Sequence, residues 1–292
     1  MSVRRRDPLT GHETTGHEWD GITELNTRVP RAIWWAVGIT HVWALVYWVL
    51  MPAWPMVTTY TKGLLGHDDR ARVEAQVVAA ADRRAAWTEA LETEPVEALR
   101  ADPAIMAHVE RTAPALWGDN CASCHGAGGE GGPGFPSLVD EAWLWGGDAE
   151  TVLETLRVGV NAPHPETRVS QMLAFGTLGI LSRPEIRLVV AYVQSLSGME
   201  HGATPEALAE GEAIFLDNCA SCHGEDGRGV QALGAPDLAD GFWIYGGDDA
   251  AMFDTVNHGR QGWMPAWEHR LTGADRTMLA LYIEDLAREG AR

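Results

Sequence analysis

The longest apolar run of the chain lies near its N-terminus. Between Arg31 and Lys62 there is no Asp, Glu, Lys or Arg. Its apolar part, AIWWAVGITHVWALVYWVLM from Ala32 to Met51, matches the ~20 residues that a helix needs to cross a bilayer. A helix is expected because lipid offers backbone amides and carbonyls no partner. Trp34 and Trp35 at one end and Trp54 at the other resemble an interfacial aromatic belt, and Pro52 and Pro55 suit the helix exit. The expected transmembrane helix is 32–54; the competing reading is a buried core helix. The long preceding segment and the missing small-x-small site favour an uncleaved anchor over a signal peptide. Arg4, Arg5, Arg6, Arg28 and Arg31 before the span, against Lys62, Arg70 and Arg72 after it, bias residues 1–31 to the cytoplasmic side. His41, mid-span, reads either as a functional ionisable group or as a neutral imidazole bonded to a neighbouring helix.

After the span the pattern turns helical and polar. ARVEAQVVAAADRRAAWTEALE has strong helix formers at helical spacing, so 55–107 is expected to be a helical stalk or packing helix. Two helix-rich blocks follow. TPEALAEGEAIFLDN opens the second with Thr204 as N-cap, Pro205 at the first helical position and Glu206 in the first turn. Amphipathic helices close both blocks, SRPEIRLVVAYVQSL from Ser182 to Leu196 and TGADRTMLALYIEDLAR from Thr272 to Arg288, with Ser182 and Thr272 as N-caps. The blocks are copies of each other. Asn120-Cys-Ala-Ser-Cys-His-Gly126 recurs as Asn218 to Gly224, Pro136-x-Leu138 as Pro236-x-Leu238, and Trp143-Leu-Trp-Gly-Gly-Asp148 as Trp243-Ile-Tyr-Gly-Gly-Asp248. Colinear matches of this kind mean a duplicated domain. The expected fold class is mainly α: one N-terminal transmembrane helix followed by two tandem domains, 108–199 and 204–292.

The chemistry sits in the repeated motif. The chain has 4 cysteines, all in two Cys-x-x-Cys pairs, Cys121 with Cys124 and Cys219 with Cys222. Two cysteines three apart on one helical turn can each bond a vinyl group of one haem, and the adjoining His125 or His223 then presents imidazole to the iron. Zinc shared between the pairs, a thioredoxin-like couple and simple disulfides are the alternatives. The distance from Cys121 to Cys219, the histidine after each pair and the absence of a βαβ setting weigh against all three. Two covalent haem c groups are expected, which makes the domains cytochrome c domains. For a sixth ligand, thioether sulfur suits an electron carrier because it raises the potential. Met172 and Met264 lie in matching Met-x-Ala-aromatic loops before each final helix. His164 and His258 are possible substitutes without a counterpart in the other copy. Met106, Met199, Met252 and Met278 read as core. Arg168 reads either as the partner of a haem propionate or as a solvated surface arginine.

Charge narrows the partners. With 41 acidic and 22 basic residues the formal charge is −19, which repels nucleic acid and attracts basic proteins.

The order of motifs resembles the CcoP (FixP) subunit of cbb(3)-type haem–copper cytochrome c oxidases. His17-Glu-Trp-Asp-Gly-Ile-x-Glu-Leu-Asn26, Pro30-Arg-x-x-Trp34, the membrane helix, Tyr47-x-x-x-x-Pro-Ala-Trp-Pro55 and two Cys-Ala-Ser-Cys-His domains carry the likeness over nearly the whole chain. The resemblance implies a non-catalytic electron-transfer subunit of the bacterial inner membrane, with its haem domains in the periplasm. It implies a basic periplasmic cytochrome c as donor. It also implies a mono-haem cytochrome c subunit and the oxygen-reducing, proton-pumping haem–copper subunit as partners. It implies covalent haem at Cys121, Cys124, Cys219 and Cys222, and exchanged axial ligands: His125 with Met264 at the first iron, His223 with Met172 at the second. Spacing alone assigns each methionine to its own repeat. The first ligand loop of the family usually reads Met-Pro-Ala-Phe-Gly, and Leu173 here replaces the proline. An anchored di-haem shuttle outside an oxidase, a di-haem peroxidase and a gas sensor share the haem motifs and remain alternatives.

Overall fold

The computed structural model describes residues 5–290; Arg4, one of the arginines weighed for orientation, lies outside the described residues, as do Ala291 and Arg292. The described residues form two compact units that part between Arg83 and Arg84.

The first unit opens with an antiparallel hairpin, β1 (Thr14–Trp19) and β2 (Ile22–Leu25), pairing Thr14 with Leu25 and Trp19 with Ile22. Asp20 and Gly21 turn between them, both at positive φ, +48° and +84°. Asp-Gly is the preferred pair for such a turn, so the hairpin is written in the sequence although its strands are short and irregular. Helix α1 (Arg31–Leu50) buries none of its side chains, as suits a helix facing lipid, and it alone among the described helices is long and apolar enough to cross a membrane. It ends four residues before the expected 54. Pro52 forces its predecessor out of helical geometry, and Met51 is accordingly extended at φ −111° and ψ 162°. The amides of Leu64 and Leu65 return to cap the carbonyls of Val49 and Leu50, both at 3.0 Å. The imidazole of His41 bonds the Val37 carbonyl at 2.7 Å, one turn back in its own helix rather than on a neighbouring one.

The expected stalk divides. Helix α2 (Asp69–Thr93) contains the boundary between the units, and from Arg84 onward the chain belongs to the second. Leu91, with Leu99 of α3 (Val96–Ala101) and Ile105 and Val109 of α4 (Pro103–Asn120), is buried there in a single core. Each such side chain contributes about 1.5–3 kcal/mol of burial. Residues 84–107 are therefore part of the globular unit.

The second unit continues with α5 (Ala122–His125), α6 (Ala149–Val158), α7 (Arg183–Leu196), α8 (Pro205–Asn218), α9 (Ala220–His223), α10 (Asp249–His258) and α11 (Gly273–Gly290). The N-caps foreseen at Thr204 and Ser182 are present. Thr204 accepts from the Ala207 amide at 3.3 Å, and the Ser182 hydroxyl and amide both donate to Glu185, at 2.6 and 2.7 Å. Ser182 and Glu185 together make a capping box. The pairing of helices crosses the repeats. Helix α11, last in the second repeat, packs on α4 and α6 of the first; α7, last in the first repeat, packs on α8 and α10 of the second. Arg100 fastens α3 to α11 through Glu284 and, at 2.7 Å, Asp285. Gly211 of α8 lies against the Leu188 carbonyl of α7, where a side chain would collide with backbone; its counterpart Ala113 in α4 is fully buried.

Candidate functional site

Two sites form at the ends of α4 and α8. Each helix runs into a cysteine, Cys121 or Cys219, that caps it, and the next four residues make a single turn. The amides of His125 and His223 bond back to the Cys121 and Cys219 carbonyls, each at 3.0 Å. One turn thus carries both sulfurs and the imidazole. Cys124 and Cys222 are exposed, whereas burial, and secondarily the neighbouring cysteine, pushes the Cys121 and Cys219 thiols up to about 11.

The histidines are fixed by the prolines of the repeated Pro-x-Leu motif. Nδ1 of His125 lies 3.0 Å from the Pro136 carbonyl, and Nδ1 of His223 the same distance from that of Pro236. A carbonyl only accepts, so Nδ1 carries the proton and Nε2 keeps its lone pair. Burial pulls both imidazoles below their ordinary value, against a smaller opposing effect of the carbonyl, and keeps them neutral. The sequence displayed Pro136 and Pro236 as a repeat, but nothing in it marked their carbonyls as acceptors.

Trp117 of α4 donates its indole N–H to the Gly126 and Ala127 carbonyls at 3.2 and 3.0 Å and packs on His125 and on Tyr282 of α11. Phe215 of α8, one repeat later, packs instead on Tyr192 of α7, with centroids 5.3 Å apart.

The methionine loops cross in the same sense as the helices. Met264 and Val160 exchange both backbone hydrogen bonds at 2.9 Å, and Met264 packs against the core that holds Trp117, Cys121 and Leu156. Met172 exchanges bonds of 2.8 and 3.2 Å with Arg260 and packs against the core of Ile186, Val190 and Met252. Gly159 and Gly259 make the approach possible. Both have positive φ, and a Cβ there would stand 2.5 Å from the carbonyl oxygen of Met264 and Met172 respectively. The loop of each repeat therefore lies beside the post-helix turn of the other. Met252 and Met278 are buried, and Met106 and Met199 pack partly against the two cores, as expected.

His164 joins the two repeats. Its Nδ1 accepts from the Glu166 amide at 3.1 Å, and its Nε2 faces Glu268 at 2.9 Å, four residues beyond Met264. Arg157 joins this group through Glu154 at 2.8 Å and Glu166 at 2.7 Å. His258, at the end of α10, meets Thr177 at 3.2 Å. Arg168 stacks over Trp145 at 4.9 Å and donates to the Thr151 carbonyl at 3.3 Å, but its buried Nε has no hydrogen-bond partner. Burial pulls this guanidinium below its ordinary value, with Glu154 and Asp148 acting the other way. Arg260 stacks likewise on Tyr245, the counterpart of Trp145.

These residues fit a haem at each site. Two sulfurs and a neutral imidazole of fixed tautomer share one turn, and an orphaned buried guanidinium nitrogen suits a propionate. Fold and sites together define a membrane-anchored c-type cytochrome with two haem-binding repeats.

Three family models match the chain: the N-terminal domain of cytochrome oxidase-cbb3, FixP, at residues 11–58; cytochrome c at 111–197; and cytochrome C oxidase, cbb3-type, subunit III at 206–283. The cbb3-type cytochrome c oxidase subunit FixP of Bradyrhizobium diazoefficiens is 44% identical over 282 residues, 96% of either chain. Subunit CcoP of Cereibacter sphaeroides is 43% identical over 288 residues, covering 98% of this chain and 99% of the relative. FixP of Rhizobium meliloti is 40% identical over 283 residues, again 96% of either chain. The chain belongs to the FixP/CcoP family of cbb3-type cytochrome c oxidase subunits. It is a mainly helical electron-transfer subunit with two cytochrome c domains and two covalent haem c groups.

Proposed function

We propose that this chain receives electrons from a basic periplasmic cytochrome c and relays them to the mono-haem subunit and the haem–copper subunit of the oxidase. In this reading the N-terminus is cytoplasmic and α1 anchors two periplasmic haem domains, 108–199 and 204–292 in sequence. The haems attach at Cys121 and Cys124 and at Cys219 and Cys222. His125 and Met264 hold the first iron, and His223 and Met172 the second. Haem, when bound, supplies a one-electron iron couple.

The residues of the chain do the rest. The Pro136 and Pro236 carbonyls hold each imidazole in the tautomer that can ligate and raise its basicity. Val160 and Arg260 hold the methionine backbones, so that each methionine loop lies beside the post-helix turn of the other repeat. Arg168 offers its buried charge to a propionate. A histidine and a methionine offered to each iron would leave it no open position, so that the chain would relay electrons and not act as a catalyst by itself. The net charge of −19 suits a basic donor, since complementary charge speeds encounter more than it tightens binding.

The reciprocal bridges of Met264 to Val160 and of Met172 to Arg260 are the observation that carries the ligand assignment. Met172→Ala and Met264→Ala test it by redox titration. Each variant is expected to lower one of the two potentials and to open that iron to carbon monoxide. Two unchanged potentials in both variants would reject the assignment.

A further inference from the structure

One side chain touches both methionine loops where the repeats cross. Asn161 follows Val160, the residue bridged to Met264, and stands at φ +49°. Among the described residues only Asp20 shares positive φ without being glycine. Asparagine is one of the few side chains that tolerate this region, and such a conformation persists where the surroundings over-determine it. The backbone amide of Asn161 donates to the Arg168 carbonyl at 2.8 Å. Its side-chain Nδ2 donates to the Ser170 carbonyl at 2.8 Å and to the Gly262 carbonyl at 2.7 Å. Its Oδ1 accepts from the Ser170 amide at 3.2 Å. Ser170 stands two residues before Met172, and Gly262 two before Met264. The Ser170 hydroxyl adds a bond of 3.2 Å to the Gly234 carbonyl of the second repeat.

Both donors and the acceptor of one amide are thus spent on the two loops. The second repeat has Gln261 at the matching place after Gly259 and Arg260, where φ is not positive, so the tie is made from one side only.

We propose that Asn161 is a positioning residue that sets both axial methionines together, coupling the two haem sites through one hydrogen-bonded clamp. The proposal rests on the reading that Met172 and Met264 ligate iron. Asn161 holds the backbone of both loops, so its release would loosen both methionines together. A residue that merely supported the fold would change thermal stability and leave the irons as they were.

The test uses the full-length holo-protein. Asn161→Gly keeps positive φ accessible and removes the three side-chain bonds. Asn161→Asp keeps the acceptor for Ser170 but sets oxygen against oxygen at the two carbonyls, and serves if the glycine variant does not assemble. Haem content, both reduction potentials and carbon monoxide uptake by the reduced protein are measured beside Met172→Ala and Met264→Ala. The clamp predicts two haems per chain, a fall in both potentials and partial carbon monoxide binding at both irons. Wild-type potentials without carbon monoxide uptake, or a change at one haem only, would overturn it. If the methionine variants themselves move neither potential, the ligand reading has failed; if they do and the Asn161 variants do not, the clamp alone has failed.

Discussion

Asp148 and Asp248 close the Trp-x-aromatic-Gly-Gly-Asp motif, and their role is local: each caps the next helix, accepting from Thr151 at 2.8 Å and from Ala251 at 3.0 Å. The hydroxyl and amide of Thr151 hold the Asp148 carboxyl below its ordinary value. A carboxylate depressed in the folded state contributes stability that is complete above its unfolded value, near 4, and is lost as pH falls through the folded one. Asp148→Asn keeps the cap without the charge. It is expected to be less stable than the parent near pH 7 and to lose less stability on acidification, so that the two converge at low pH. Asp148→Ala is expected to cost about 0.5–2 kcal/mol at pH 7. Thermal unfolding of the three proteins at a series of pH values checks both statements; identical acid profiles for parent and Asn variant would remove the electrostatic part. The capping aspartates were visible in the sequence as repeated letters, and so were the cysteines and histidines. Asn161 was not, because its significance lies in a backbone angle and in carbonyls that carry no side-chain signature.

At the scale of elements, α7 and α11 were legible as amphipathic helices with correct N-caps, but not their partners. An apolar face records that a helix is buried, not against what. Small residues held part of the answer: Gly211 and Ala113 occupy equivalent places in α8 and α4, where another helix comes close. The hairpin β1–β2 was missed for a different reason, its Asp-Gly turn being outweighed by short and irregular strands. The end of α1 at Leu50 followed from Pro52, one of the two prolines that the sequence placed at the helix exit. The close approach at Gly211 leads to a test. Gly211→Leu puts a side chain into the Leu188 backbone of α7 and is expected to cost about 1–3 kcal/mol or more. Since α7 follows the Met172 loop, the same variant should disturb the potential that Met172→Ala disturbs and spare the other. Redox titration of the variant decides this; a change confined to the potential governed by Met264 would contradict the pairing of α7 with α8.

The haem-binding part of the molecule is two copies of a sequence whose second halves pack on each other's first halves. Each site takes its cysteines and histidine from one repeat and lies against the methionine loop and last helix of the other. Duplication was plain in the sequence, and family resemblance supplied the exchange, whereas spacing pointed each methionine to its own repeat. The pairing itself is set by contacts between residues far apart in sequence, which spacing does not display. A fold so interleaved makes the distance between the sites a property of one unit with crossed repeats rather than of two docked domains, which suits a relay. The most direct measurement removes the first haem by Cys121→Ala and Cys124→Ala in the full-length chain and leaves the second as the sole chromophore. In that background Met172→Ala should lower the remaining potential and admit carbon monoxide, while Met264→Ala should leave the haem as it was. The opposite pattern, with Met264 governing the second haem and Met172 without effect, would contradict the exchange.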